Sequence, residues 1–259
     1  MKRLLLVLSI VAMMTSCVKT PIQPPVQPQD IRFSILGDSY STFEGYVDPE
    51  TNDVWHYEEI GVTDVSQMWW HKVANKMEWS MERNNSFSGS LICNFGDFEG
   101  GDFYERHSFL KRMDDLGNPD VIFILGGTND VWQDAPFGDF VYADWTEEQL
   151  CSFRPALACL LDNVKRQHPN AKIYFLLETS PCPGGITEET RLNLVESTHR
   201  ISQHYGVECI DLDIHKVWWH PDVQGQPRHD RRLLIRGSGA VFADVRLFPR
   251  EGNKFRESV

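Results

Sequence analysis

The chain has 259 residues, of which 41% are hydrophobic and 24% charged, and a formal net charge of −12 at pH 7. That length supports one sizeable core and leaves little for a second full domain. The acidic balance, with no basic face in the main body, argues against a nucleic-acid partner.

The opening residues, "MKRLLLVLSIVAMMTSC", set two basic residues before an apolar run that is short for a bilayer span. Small residues directly before Cys17 resemble a bacterial lipobox, in which that cysteine becomes the lipidated first residue. An ordinary cleaved signal with a chance cysteine gives the same pattern. Residues 18–30, "VKTPIQPPVQPQD", hold four prolines and read as an extended tether. The expectation is a domain beginning at Ile31, outside the cytoplasm, lipid-anchored at the outer membrane of a bacterial cell envelope.

From there strands and helices alternate. "IRFSILG" is the first predicted strand. "VSQMWWHKVANKM" is an amphipathic helix with Ser66 as its predicted N-cap. "SMERNNSF" is a weaker second strand, and "PDVIFILGG" a strongly apolar third. "TEEQLCSFRPALACLLDNVKRQHP" reads as one helix capped by Thr146 and kinked at Pro155. "AKIYFLLET" is the fourth strand. A helix follows from "TEET" to a closing Gly206, and "VECIDL" is the fifth strand. This alternation predicts a doubly wound α/β domain with a parallel sheet, whose ligands bind beyond the carboxyl ends of the strands.

Beyond Cys17, the cysteines at 93, 151, 159, 182 and 209 are irregularly spaced and form no CxxC pair. Buried single thiols are expected, and neither a metal nor another cofactor. Cys151 and Cys159 are eight apart on the same predicted helix, too far for a bridge within it.

The strand ends carry the chemistry. Gly37-Asp38-Ser39 follows the first strand, "SFSGS" with Gly89 the second, "GGTND" with Asn129 the third, and "DIHKVWWHP" with His220 the fifth. In order and spacing these four motifs resemble the SGNH hydrolases, also called GDSL esterases, over roughly residues 31–225. GDS alone is a weak signal, whereas the four motifs together, each after a strand, are specific. The resemblance implies a three-layer α/β/α sandwich with a five-stranded parallel sheet, flavodoxin-like in topology. It implies Ser39 as nucleophile and His220 as base. It also implies an oxyanion hole made of the Ser39 and Gly89 backbone N–H groups and the Asn129 side-chain amide.

The residue types suit that chemistry. A serine becomes an effective nucleophile when a base takes its proton, and histidine can do this near neutral pH. The tetrahedral intermediate carries an anionic oxygen that needs preorganised donors. Each residue also has a plainer reading: Ser39 as a helix cap, Gly89 as a turn residue, Asn129 as an Asx turn, His220 as a surface histidine. Asp38 and Asp130 read as structural, holding loops by hydrogen bonds.

Two departures stand out. Many family members carry an aspartate three residues before the histidine, where this chain has Val217. Asp213, seven residues before His220, or a backbone carbonyl would have to orient the imidazole. After Gly225 the family expects a last amphipathic helix. Instead residues 226–259 hold eight Lys or Arg and four Asp or Glu, against seventeen and thirty-three before them. A native surface tail and a shifted reading frame both account for that.

Between Thr42 and Gln67 lies an insertion with Tyr46, Trp55, His56 and Tyr57. The segment after Asn129 adds Trp132, Phe137, Tyr142 and Trp145. Aromatic rings on loops at the catalytic edge suit sugar faces, with Trp55, Tyr57 and Trp132 the substrate-binding candidates and Trp69 a packing residue. The expected partner is an acylated carbohydrate or another ester. The expected activity is removal of acetyl or similar acyl groups from carbohydrate. The alternatives are a lipid esterase or thioesterase, or a catalytically weak glycan-binding domain on the same fold.

Overall fold

The computed structural model describes residues 30–54, 62–96, 107–179 and 186–212. Within these, β1 (Arg32–Gly37), β2 (Ser80–Ser86), β3 (Val121–Leu125), β4 (Lys172–Leu177) and β5 (Glu208–Asp211) form one sheet. Its strand order is β2-β1-β3-β4-β5, and every pairing is parallel. All five residues of β3 are buried, as their unbroken apolar run demands of a strand covered on both faces.

Side chains alternate across the sheet, so each strand feeds two cores. On one face Phe33, Ile35, Phe123 and Tyr174 pack with Trp69, Trp70 and Val73 of α1 (Trp69–Met77). On the other, Leu36, Ile122, Ile124 and Phe175 pack with three helices. These are α2 (Phe109–Arg112), α4 (Phe153–Gln167) and α5 (Glu188–Tyr205). The result is the expected flavodoxin-like three-layer sandwich. The short α3 (Thr128–Trp132) leaves the end of β3 at the sheet's carboxyl edge.

Three helix details differ from expectation. Ser66 is not a cap. It lies in a 3-10 turn, Val65–Gln67, capped by Asp64 and closed by a reciprocal Gln67 bond, and α1 begins only after Met68. Thr146 does not begin the long helix either. Its hydroxyl accepts from the Gln149 N–H, a 3-10 turn ends at Cys151, and extended Ser152 separates that turn from α4. Pro155 therefore stands third in α4, where a missing N–H costs no helix bond, and it causes no kink. Cys151 and Cys159 thus sit on different elements. Thr187 and Gly206 bound α5 as the sequence indicates.

Strand order decides where a site can form. The chain moves from β1 outward to β2, then returns to the other side of β1 for β3. At such a reversal the loops part and leave a crevice beyond the carboxyl ends. Ser39 follows β1 and Asn129 follows β3, so they flank it.

Candidate active site

β1 ends at Gly37, where nothing larger fits. A Cβ there would stand 2.7 Å from the hydroxyls of both Ser41 and Ser86. The chain then turns through Ser39–Ser41, a 3-10 turn capped by Asp38, whose carboxylate accepts from the Tyr40 N–H at 2.9 Å. Asp38 is fully buried, and its own N–H donates to the Leu125 carbonyl at 3.2 Å, tying the turn to β3. The Ser41 carbonyl accepts from the Trp70 indole and the Asn84 amide, both at 2.9 Å, while the Trp69 indole donates to the Ser41 hydroxyl at 3.2 Å. Trp69 and Trp70 are thus core rings that also brace the serine turn.

The loop after β2 continues the sheet pairing by one bond, from the Phe87 N–H to the Gly37 carbonyl at 3.0 Å. It then turns at Gly89, whose φ of +76° is the left-handed conformation that glycine adopts without strain. Among the described residues, no acceptor is bonded to the N–H of Ser39 or of Gly89. Those are the two backbone donors that the resemblance assigns to the oxyanion hole.

From the end of β3, buried Asn129 reaches across to that loop. Its side-chain amide donates to the Ser90 carbonyl at 2.9 Å. Asp130 points the other way, its two carboxylate oxygens accepting from the Ile92 and Cys93 N–H groups at 2.9 and 3.1 Å. Burial pushes the Asp130 carboxyl up, more than these bonds pull it down. Burial likewise pushes the Cys93 thiol far up, so it stays an inert thiol. Both aspartates therefore have the structural placement expected of them.

One group at the site was not legible in the sequence. The guanidinium of buried Arg112 reaches β1, β2 and the Gly89 loop at once. It donates from Nε to the His107 carbonyl at 2.8 Å, and from Nη2 to the Gly37 carbonyl at 3.1 Å and the Ser90 hydroxyl at 2.8 Å. From Nη1 it donates to the Asn85 carbonyl. The single signal was its place three residues after Phe109 on the inward face of a short helix.

The structure thus brings Ser39, Gly89 and Asn129 to one edge of the sheet. His220, Asp213, Trp55, Tyr57 and Cys17 lie outside the described residues, as do residues 226–259. Trp132, three residues past Asn129, is 39% exposed, and Tyr46 in the insertion is 40% exposed. Among the described residues, no group of three or more His, Cys, Asp or Glu side chains is placed to hold a metal ion.

The profile of the GDSL-like lipase/acylhydrolase family matches residues 31–234. The chain belongs to this family. Two solved family structures are similar over nearly their whole length, both of proteins classed as GDSL-like lipases. The one from Bacteroides ovatus ATCC 8483 is 42% identical, with a TM-score of 0.65 over 82% of this chain and 97% of its own. The one from Bacteroides uniformis ATCC 8492 is 36% identical, with a TM-score of 0.66 over 83% and 96%. A Lactobacillus plantarum protein at 18% identity and a TM-score of 0.52 shares the fold, over 82% of this chain and 96% of its own. No curated protein matches the chain. As a family member the GDSL-like protein is a hydrolase of ester bonds, on the SGNH hydrolase fold that its sheet and strand order display.

Proposed function

We propose that the protein is a serine esterase that removes acetyl or similar short acyl groups from carbohydrate, with Ser39 as nucleophile and His220 as base. One observation carries the reading. Ser39, Gly89 and Asn129 come together at the carboxyl edge of the sheet, with the Ser39 and Gly89 N–H groups unclaimed among the described residues and a carboxamide beside them.

In the first step the Ser39 hydroxyl attacks the acyl carbon while His220 takes its proton. The carbonyl oxygen becomes anionic and is received by the Ser39 and Gly89 N–H groups and the Asn129 amide. Collapse breaks the bond to the sugar oxygen, which leaves with the proton from His220. Water, deprotonated by the same histidine, then attacks the acyl-enzyme and frees the acid and Ser39. Asp213 or a backbone carbonyl orients His220, in place of the acid that Val217 replaces.

Exposed Trp132, at the end of α3, and exposed Tyr46, on the insertion after Ser39, support a sugar substrate, since such rings offer flat faces for pyranose rings. The same reading sets the domain at the cell envelope, held by lipid on Cys17 through the proline-rich tether.

Acetate release from a panel of acetylated polysaccharides, with Ser39→Ala as control, tests the proposal. Release that depends on Ser39 supports it. A lipid-ester specificity is the second reading, favoured by the lipase classification of the two Bacteroides proteins. Preference for long-chain over acetyl esters, with no release from any polysaccharide, would select that reading instead.

A further inference from the structure

We propose that Arg112 is a positioning residue that sets the spacing of the oxyanion donors by clamping the end of β1 to the Gly89 loop. This rests on Ser39 being the nucleophile.

Arg112 is only 7% exposed. Burying a cation is costly, and well-packed apolar side chains often serve stability as well or better. An arginine here therefore calls for something that an apolar residue does not supply. That is its set of acceptors: carbonyls at His107, Asn85 and Gly37, and the Ser90 hydroxyl. They come from three separate stretches of chain. The guanidinium also lies over the Phe109 ring, 5.0 Å from its centroid, which fixes the plane of the fork. In return the Asn85 amide donates to the Arg112 carbonyl at 2.9 Å.

The geometry at Nη2 is decisive. This one nitrogen bonds both the Gly37 carbonyl and the Ser90 hydroxyl. Gly37 is two residues before Ser39, and Ser90 directly follows Gly89. The two segments that carry the backbone donors therefore meet on a single atom of a rigid planar group. Ser90 is in turn held from the other side, where its carbonyl accepts from Asn129. All three oxyanion donors belong to one bonded unit centred on Ser90 and Arg112. Burial lowers the guanidinium's proton affinity to about 9 and the Asp38 carboxylate opposes that fall, so the group stays charged at neutral pH.

A purely structural role would move stability alone. A positioning role moves kcat at constant KM, because donors displaced by a fraction of an ångström still admit the ester but fit its oxyanion poorly. Arg112→Lys keeps the charge but loses the planar fork. Ser90→Ala keeps the buried cation and removes the hydroxyl that Nη2 reaches. Both variants, their double and Ser39→Ala are assayed on p-nitrophenyl acetate well below their melting temperatures. The expected result is a kcat lowered about tenfold or more in each single variant, with KM within about threefold. The double should be no worse than Arg112→Lys, since both act through one clamp. If Arg112→Lys does not fold, the kcat of Ser90→Ala decides. An unchanged kcat in a folded variant, or fully additive losses, would overturn the clamp. Hydrolysis retained in Ser39→Ala would instead overturn the nucleophile assignment, so the two failures are distinct.

Discussion

The side-chain amide of Asn129 donates to the carbonyl of Ser90 at 2.9 Å, and so the end of β3 holds the loop that follows β2. A carboxamide nitrogen has two hydrogens. One makes this bond and the other remains for an oxyanion. Asn129→Ala should therefore remove a donor and loosen the loop that carries another. Losing one hole donor costs about 10² to 10³ in kcat, and the expected fall is at least at the lower figure, with KM little changed. Steady-state kinetics on p-nitrophenyl acetate decide it, and an effect confined to KM would refute the role.

Ser39→Ala should remove nearly all ester hydrolysis and leave the melting temperature close to that of the parent. The Ser39 hydroxyl has no hydrogen-bond partner among the described residues, so truncation orphans no group among them. The turn itself is held by Asp38, Thr42 and the bonds to Ser41. Matched thermal melts and turnover rates check both halves, and undiminished turnover would remove Ser39 from the mechanism.

Asp130 offers a test of stability. Asp130→Ala leaves the N–H groups of Ile92 and Cys93, both fully buried, without their acceptor. At about 1–3 kcal/mol for each of the two orphaned donors, the loss should be roughly 2–6 kcal/mol. A pH signature accompanies it. The folded carboxyl is shifted up, so its contribution is complete below the unfolded pKa and is lost as pH rises through the folded one. Asp130→Asn cannot ionise and should lack that downward slope above about pH 4. Thermal midpoints measured against pH in both proteins would show parallel curves if the assignment is mistaken.

How far the sequence revealed this site depended on whether a signal was local. β3 was plain, because burial on both faces leaves an unbroken apolar run. β2 was faint, since its buried end is Asn84-Asn85-Ser86, satisfied by bonds to Ser41, Arg112, Asp115 and each other. Polar residues buried by bonding leave no periodicity to read. The start of α4 was misplaced for a similar reason. Thr146 does form a cap-like pair with Gln149, but the helix begins where the N–H groups of Phe153 and Arg154 find the carbonyls of Pro136 and Phe137. Pro155 marks that start, where its missing N–H costs no helix bond, rather than a kink. Arg112 leaves only its spacing from Phe109 in the sequence, because its acceptors are up to 75 residues distant.

The proposed lipid anchor predicts a change of fraction. Cys17→Ser should move the protein from the membrane fraction to the soluble periplasmic or secreted fraction of a bacterial host, because the proline-rich segment has no apolar stretch to hold it. Fractionation with immunodetection reads the outcome. A variant that stays with the membrane would show that another segment anchors it.

The sugar-binding proposal rests on two rings that differ in support. Tyr46 is 40% exposed, yet its ring is braced at 5.2 Å from Trp70 and 6.1 Å from Phe43, so it presents a fixed face on the insertion. Trp132 is 39% exposed at the end of α3, three residues from the Asn129 donor. On that proposal the ring meets the sugar unit that bears the acyl group. A stacking contact of about 1 kcal/mol corresponds to roughly fivefold in affinity. Trp132→Ala should therefore raise KM for acetylated polysaccharide by about fivefold, with kcat/KM for p-nitrophenyl acetate nearly unchanged, since that substrate has no sugar to stack. Tyr46→Ala should show the same selectivity and also a lower melting temperature, because Trp70 loses part of its cover. Parallel kinetics on the two substrates separate binding from chemistry. Equal losses on both would place Trp132 in the catalytic step, and no loss on either would remove the rings from substrate recognition.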